Sequence, residues 1–225
     1  MRIPVYILFI LLPLLATAQK ADTIKHKADT VRNKFKPTGI RFGTDLISIG
    51  KSQYVKTFTG WEVNADVDIH RYFLALDYGS WGRTYNTDSA HYANTGKYYR
   101  VGVDVNFLTK DPEKNAFFIG MRFGHSKFSE DFVVDLNDPV WGFLHQDYTN
   151  KNVKANWLEM TTGIKVKMWK FFWMGYTARY KFALGLSKTD RLIPSDVPGF
   201  GRTDKTATWG FNYQLFFRIP VVKEK

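Results

Sequence analysis

Trp61-Glu62-Val63-Asn64-Ala65-Asp66-Val67-Asp68-Ile69 is the stretch whose reading decides the fold. Successive side chains of a β-strand point to opposite faces. Trp61, Val63, Ala65, Val67 and Ile69 therefore share one face, and Glu62, Asn64, Asp66 and Asp68 share the other. The pattern recurs along the chain. Tyr99, Val101, Val103, Val105 and Phe107 oppose Arg100, Gly102, Asp104 and Asn106; Trp209, Phe211, Tyr213, Leu215, Phe217 and Ile219 oppose Gly210, Asn212, Gln214 and Arg218. Strands are expected near 38–49, 60–69, 71–81, 97–108, 115–128, 156–169, 171–184 and 209–219. Most run to about ten residues, the length of a tilted membrane strand. No stretch beyond residue 18 shows a convincing helical period.

What precedes the strands is an export leader by its layout. Arg2 is followed by an apolar run from Ile3 to Leu15 and then by Ala16-Thr17-Ala18, the order of a secretory signal peptide over 1–18. The run is shorter than the roughly 20 residues that a spanning helix needs. Loss of the single charge of Arg2 lowers the formal net charge from +11 to +10. In an exported protein, that excess is better matched to phosphorylated headgroups than to nucleic acid. The chain has no cysteine, which excludes disulfides and a lipid-modified cysteine. Residues 19–37 carry Lys20, Lys25, Lys27, Arg32, Lys34 and Lys36 among few apolar residues, the composition of a disordered periplasmic tail. One domain, 38–220, then holds the strands, with a short tail over 221–225.

The connections alternate in length. Strands two and three join around His70, four and five through 109–114, and six and seven around Lys170, whereas 50–59, 82–96, 129–155 and 185–208 are long. With both termini on the same side, an even strand number sends every long connection to the opposite side, as in barrels with short periplasmic turns and long external loops. Proline agrees: Pro37, Pro112, Pro139, Pro194, Pro198 and Pro220 all fall at strand boundaries or in connections, where no ladder donor is lost. On this topology Trp61, Trp81, Trp157 and Trp209 are expected in an external aromatic girdle and Trp169 and Trp173 in a periplasmic one; Trp141 falls in a loop.

These strands, the loop alternation and the leader together resemble the small outer-membrane β-barrel proteins of Gram-negative bacteria, in a family of unknown function. The resemblance covers roughly 38–220 and rests on no catalytic motif. It implies an all-β, eight-stranded, antiparallel, up-and-down transmembrane β-barrel in the outer membrane, delivered by the assembly machinery there. One departure concerns that machinery. Such barrels commonly end on an aromatic residue, but here Phe217 is followed by eight further residues. The rival architecture is a soluble lipocalin-like barrel, with the apolar face lining a ligand cavity. Glycines on the polar face (Gly43, Gly79, Gly102, Gly120, Gly163, Gly175 and Gly210) and bulky aromatics on the other favour the membrane arrangement.

Eight strands leave an interior just wide enough for inward side chains to fill it. The inward set is read as Arg41, Asp45, Glu62, Asp66, Asp68, Arg71, Asp77, Arg100, Asp104, Arg122, Glu159, Arg179, Lys181 and Arg218. Buried charges must pair. Asp104 is expected beside Arg122, Glu159 beside Arg179 or Lys181, and Asp66 and Asp68 near Arg41 and Arg71, together plugging the lumen.

Signals for chemistry are weak. His125 and Ser126 are adjacent on one strand, so they point to opposite faces and the first cannot readily activate the second. His91 and His145 are placed in external loops without partners. Glu130, Asp131, Asp135, Asn137 and Asp138 are acidic or amide oxygens in the 129–155 loop, but their spacing matches no calcium-loop signature. Neither a catalytic residue, nor a metal, nor a cofactor is expected. Lys51, Lys56, Arg83, Lys151, Lys154, Lys188, Arg191 and Lys205 in the external connections suit outer-membrane lipid, including lipopolysaccharide phosphates. The expected function is a non-enzymatic outer-membrane barrel whose loops contact lipid or a partner. The alternatives are a minor channel or carrier of small molecules, a lipid-modifying enzyme, and a soluble lipocalin-like binder.

Overall fold

The computed structural model describes residues 36–140, 142–186 and 193–221. The leader, the tail up to residue 35, Trp141, Lys188, Arg191 and residues 222–225 lie outside the described residues. The elements are β1 (Pro37–Asp45), α1 (Leu46–Tyr54), β2 (Phe58–Ile69), β3 (Tyr72–Asn86), β4 (Ala90–Asn106), β5 (Ala116–Asp138), β6 (Gly142–Trp169), β7 (Phe172–Leu186), the two-residue strands β8 (Asp196–Val197) and β9 (Gly201–Arg202), and β10 (Ala207–Pro220). Eight of them close an antiparallel barrel in the order β1-β10-β7-β6-β5-β4-β3-β2. Closure pairs Phe42 with Phe217 on one side and with Ala65 on the other.

Burial states which face meets which solvent. In β2, Glu62 and Asp66 are 2% exposed, whereas Val63 is 47% and Trp61 43% exposed. The same inversion holds around the barrel, with Leu76, Val101, Met121, Ile164 and Phe211 outward and charged residues inward. An apolar exterior this extensive would cost roughly 25 cal/mol for every Å² left in water, so the surface is built for lipid. The protein is an eight-stranded up-and-down transmembrane β-barrel. The soluble lipocalin-like arrangement, which needs the apolar set inside, is excluded. Among the described residues no helix is long and apolar enough to span a membrane; the strands do the crossing.

Three expectations about elements need correction. The first strand stops at Asp45, and a helix occupies 46–54, where the alternation had suggested more strand. The cause is a cap. Asp45 accepts hydrogen bonds from the backbone N–H groups of Ile47 (3.3 Å) and Ser48 (3.1 Å) and from the Ser48 hydroxyl (2.6 Å), the N-cap role that aspartate fills well. A helix of nine residues is too short for its period to stand out. The stretches 82–96 and 129–155 are mostly strand rather than loop. They continue β3 to β6 past the barrel rim, pairing Tyr85 with Tyr92, His91 with Val133 and Asp131 with Thr149. The outer face of this four-stranded blade meets water, and the buried positions of the inner face mix Tyr92, Asn94 and Glu130 with Val153, so no apolar face advertised it.

The tryptophan girdle is also smaller than expected. Trp61, Trp169 and Trp209 are 43%, 66% and 62% exposed, but Trp157 and Trp173 are buried inside the barrel and Trp81 is half-buried on the inner face. Trp81, Trp157 and Trp173 follow the parity of their strands, which outranks their position near a strand end. At the end bearing the short turns the aromatic layer is completed by phenylalanine: Phe107 packs on Phe117 at 6.0 Å, and Phe171 and Phe172 on Phe217 at 5.8 Å.

Candidate functional site

The lumen is built from the inward positions of all eight barrel strands. Nearest the short turns, Arg218 faces Asp68 at 3.6 Å. Above it Asp66 receives Arg41 Nε and Lys165 Nζ, each at 2.7 Å. The Lys165 ammonium lies 4.8 to 5.1 Å from the rings of Phe73, Phe118 and Phe216, so aromatic faces solvate the rest of its charge. In the middle layer Arg122 bridges two carboxylates, donating from Nη2 to Asp104 and from Nη1 to Asp77, both at 2.6 Å. Arg100 meets Glu62 and, at 3.3 Å, Asp77. Arg179 donates to Glu159 at 3.0 Å and to the Asn212 side chain at 2.6 Å. Thr161 and Thr177 complete the layer by donating to Asp104 and Gln214.

Of the residues singled out from the sequence, Arg41, Asp66, Asp68, Asp104, Arg122, Glu159, Arg179 and Lys181 are all buried in the lumen. Arg71 is not. It belongs to the two-residue His70–Arg71 turn and is exposed, because the turn sits outside the strand whose parity had assigned it inward. Arg218 takes the place by Asp68 that was expected for Arg71. Lys165 was missed, although it shares the parity of Glu159 on β6.

At the opposite end, residues 193–206, between β7 and β10, fold back over the mouth as a strap. Val197 and Phe200 insert against Tyr98, Phe128, Val153 and Trp157. Lys181 donates to the carbonyl oxygens of Gly199 (2.8 Å) and Phe200 (3.0 Å), and Asn94 to that of Asp196 (2.6 Å). Gly199 has φ +84°, and a Cβ there would come within 2.6 Å of the Tyr98 ring; only glycine fits. Beneath and beside the strap lies a polar cavity of about 340 Å³, lined in part by Asp45, Glu62, Arg83, Arg100, Lys181 and Asp196.

The strap carries a pH-sensitive group. Burial pushes the Asp196 carboxyl up to about 6, against the pull of Arg83, Lys181 and Arg202; Arg83 Nε stands 3.2 Å from it. A carboxyl whose value is raised in the closed strap binds its proton more tightly there than in an opened one. Closure therefore gains stability as pH falls from about 6 toward the ordinary value near 3.9 and loses it in the reverse direction. Amide protection at Val197, Gly199 and Phe200, taken relative to the intrinsic exchange rate at each pH, is expected to rise on acidification through this window, and Asp196→Asn to flatten the dependence. Protection that falls toward the acid end would refute the assignment.

The other candidate chemistry disperses. Ser126 is buried in the lumen and donates to the Lys97 carbonyl at 3.3 Å, while His125 points outward, its ring 5.3 Å from that of Tyr99 and its Nδ1 2.7 Å from Asn156 Oδ1. His91 and His145 lie in β4 and β6 rather than in loops, and His145 faces Asp135 across the blade at 2.6 Å. The acidic run divides between faces. Glu130 is buried and accepts from Tyr92 and Asn150, while Asp131 and Asp135 lie on the opposite side. Among the described residues no group of three acidic, histidine or cysteine side chains is arranged to hold a metal ion.

A family model described as domain of unknown function DUF6048 matches residues 1–224, and the chain belongs to that family. No curated protein matches it. Among solved structures it is similar to the attachment invasion locus protein Ail of Yersinia pestis, solved in complex with the heparin analogue sucrose octasulfate. The two are 12% identical, with 81% of this chain and 97% of that one covered and a TM-score of 0.39. It is also similar to Neisserial surface protein A, again at 12% identity, covering 81% and 95% of the two chains with a TM-score of 0.33.

Proposed function

We propose that this DUF6048 member is an integral outer-membrane protein with a closed lumen, acting at the cell surface without catalysis. The observation that carries the reading is the continuous set of buried ion pairs, from Asp68–Arg218 at one end to Glu62, Glu159 and the strap at the other. Such a lumen holds its charges for mutual pairing rather than for passing ions, since an unpaired one would cost several kcal/mol. The leader of residues 1–18 exports the chain, the assembly machinery inserts it, and both termini remain periplasmic. The strap, the blade and the basic external residues then face the outside, where lipid or a partner is met. The divergent faces of His125 and Ser126 support the non-enzymatic reading.

Two measurements test it together. The protein is expected to fractionate with the outer membrane and to migrate differently on detergent gels before and after boiling. Reconstituted into planar bilayers it should add no conductance steps above those of protein-free membranes. Steady ohmic steps from the folded form would instead establish the channel reading.

A further inference from the structure

Near the external rim the barrel wall is one strand short. β1 holds β2 as far as Thr44–Val63 and β10 as far as Asp45–Gln214, and there it stops. Its neighbours continue: β2 pairs with β3 as far as Phe58–Arg83, and β10 with β7 as far as Ala207–Phe182. Neighbouring strands lie about 5 Å apart, so loss of the one between them leaves the edges of β2 and β10 about 10 Å apart. Helix α1 stands in this notch, pinned at its foot and on one side. Its cap, Asp45, also accepts from the Tyr213 N–H at 3.0 Å, and the Gly60 N–H of β2 donates to Ser52 Oγ at 3.3 Å. Among the described residues no hydrogen bond joins α1 itself to β10.

The polar cavity under the strap opens at this place. Its lining takes Ser48 and Lys51 from α1, the lumen-facing Glu62 and Asn212, and the outward Trp209 and Phe211. A cavity bounded by both faces of β10 passes through the wall. Trp61 on β2 and Trp209 on β10 flank the notch, both exposed, and outward aromatics of this kind mark the headgroup level of a membrane. The opening therefore meets the interfacial layer. On the lumen side the pair of Arg100 and Glu62 forms the floor.

Six cationic side chains line the cavity against four acidic ones. Arg83, Arg100 and Arg202 answer Asp196, Glu62 and Asp204, Asp45 answers the helix amides, and the strap carbonyls hold Lys181. The cationic surplus sits on Lys51, on the helix side, and Lys205, on the β10 side, both exposed. At about 340 Å³ the space is at the lower end of small-ligand pockets, enough for a headgroup and too little for a whole lipid. We infer that the notch is a lateral portal and that the cavity behind it seats the phosphate headgroup of one membrane glycerophospholipid. Both ammonium groups give charge-assisted hydrogen bonds to the phosphate oxygens, and the acyl chains stay outside along Trp209 and Phe211. The inference rests on the outer-membrane reading above, which sets this rim at the membrane surface.

The test uses the full mature chain folded in non-ionic detergent. The probes are phosphatidylglycerol with a photoreactive group in one acyl chain, diacylglycerol with the same group, and soluble glycerol phosphate as competitor. The heat-dependent gel shift is recorded first on every sample, so failure of the barrel reading is seen separately. Native mass spectrometry should show preference for phosphatidylglycerol over diacylglycerol, and peptide mapping after illumination should place its adducts on α1, Trp209 and Phe211. Lys51→Gln/Lys205→Gln should lose the preference; at about fivefold per ammonium the loss is on the order of 25-fold. Lys110→Gln/Lys170→Gln, at the short-turn end, should keep it. Adducts spread evenly over the belt, including Val101 and Ile164, or undiminished preference in Lys51→Gln/Lys205→Gln, would overturn the portal. Displacement of the lipid by an equal concentration of glycerol phosphate would overturn the lipid assignment in favour of a soluble anion.

Discussion

Arg122→Met is expected to weaken the barrel by about 3–5 kcal/mol, the usual result of removing one partner from a buried ion pair. Arg122 is 4% exposed and sits between Asp104, itself 0% exposed, and Asp77. Methionine fills similar length with an apolar stem and gives nothing to either carboxylate. Asp77 keeps Asn64, Arg100 and Arg179 nearby, whereas Asp104 keeps the Thr161 hydroxyl at 3.1 Å. The stranded charge is therefore chiefly that of Asp104. Equilibrium urea unfolding of the bilayer-folded protein reads the effect as a midpoint shift. The double variant Arg122→Met/Asp104→Asn should recover a large part, because it removes the orphaned charge together with its partner. Wild-type urea resistance in Arg122→Met would show that the bridge contributes nothing.

Gly124→Val should be comparably harmful by steric rather than electrostatic means. A Cβ on Gly124 would lie 2.1 Å from Trp157 Cε2 and 2.4 Å from its Nε1. The indole cannot step aside easily: it is 1% exposed, its Nε1 donates to Glu159 at 2.6 Å, and Phe200 of the strap packs on it at 6.0 Å between centroids. Overpacking of a well-filled interior costs roughly 1–3 kcal/mol, occasionally more, and displacement of Trp157 would also disturb Glu159 and the strap. The expected outcome is a loss of the heat-shifted folded band. Gly50→Val, where a Cβ meets nothing within 4 Å, is the matched control. A normal folded band for Gly124→Val would mean that Trp157 has another place to go.

The alternation in residues 61–69 was enough to read strand, face and membrane, because the period of a strand is two and a lipid solvent leaves no ambiguity about which face is apolar. The same parity located most of the buried charges. It failed at Arg71, where a turn ends the parity, and at Trp157 and Trp173, where nearness to a strand end was allowed to outrank it. The blade of β3 to β6 was illegible for a different reason. Above the membrane neither face has to be apolar, so Tyr85, Tyr92 and Asp131 carry no periodic signal although they pair in register.

By itself, then, the chain's alternation determines an eight-stranded barrel with lipid-facing apolar residues and inward charge. Which charge meets which was left to the closed sheet. Arg218 reaches Asp68, and Lys165 reaches Asp66 across 99 residues. Pairing across a lumen depends on register and shear, which arise only when the first strand closes on the last. The strap is the same kind of fact. Nothing periodic marks Asp196 to Phe200, and their place over the mouth follows from two carbonyl oxygens that Lys181 can reach only in the folded barrel.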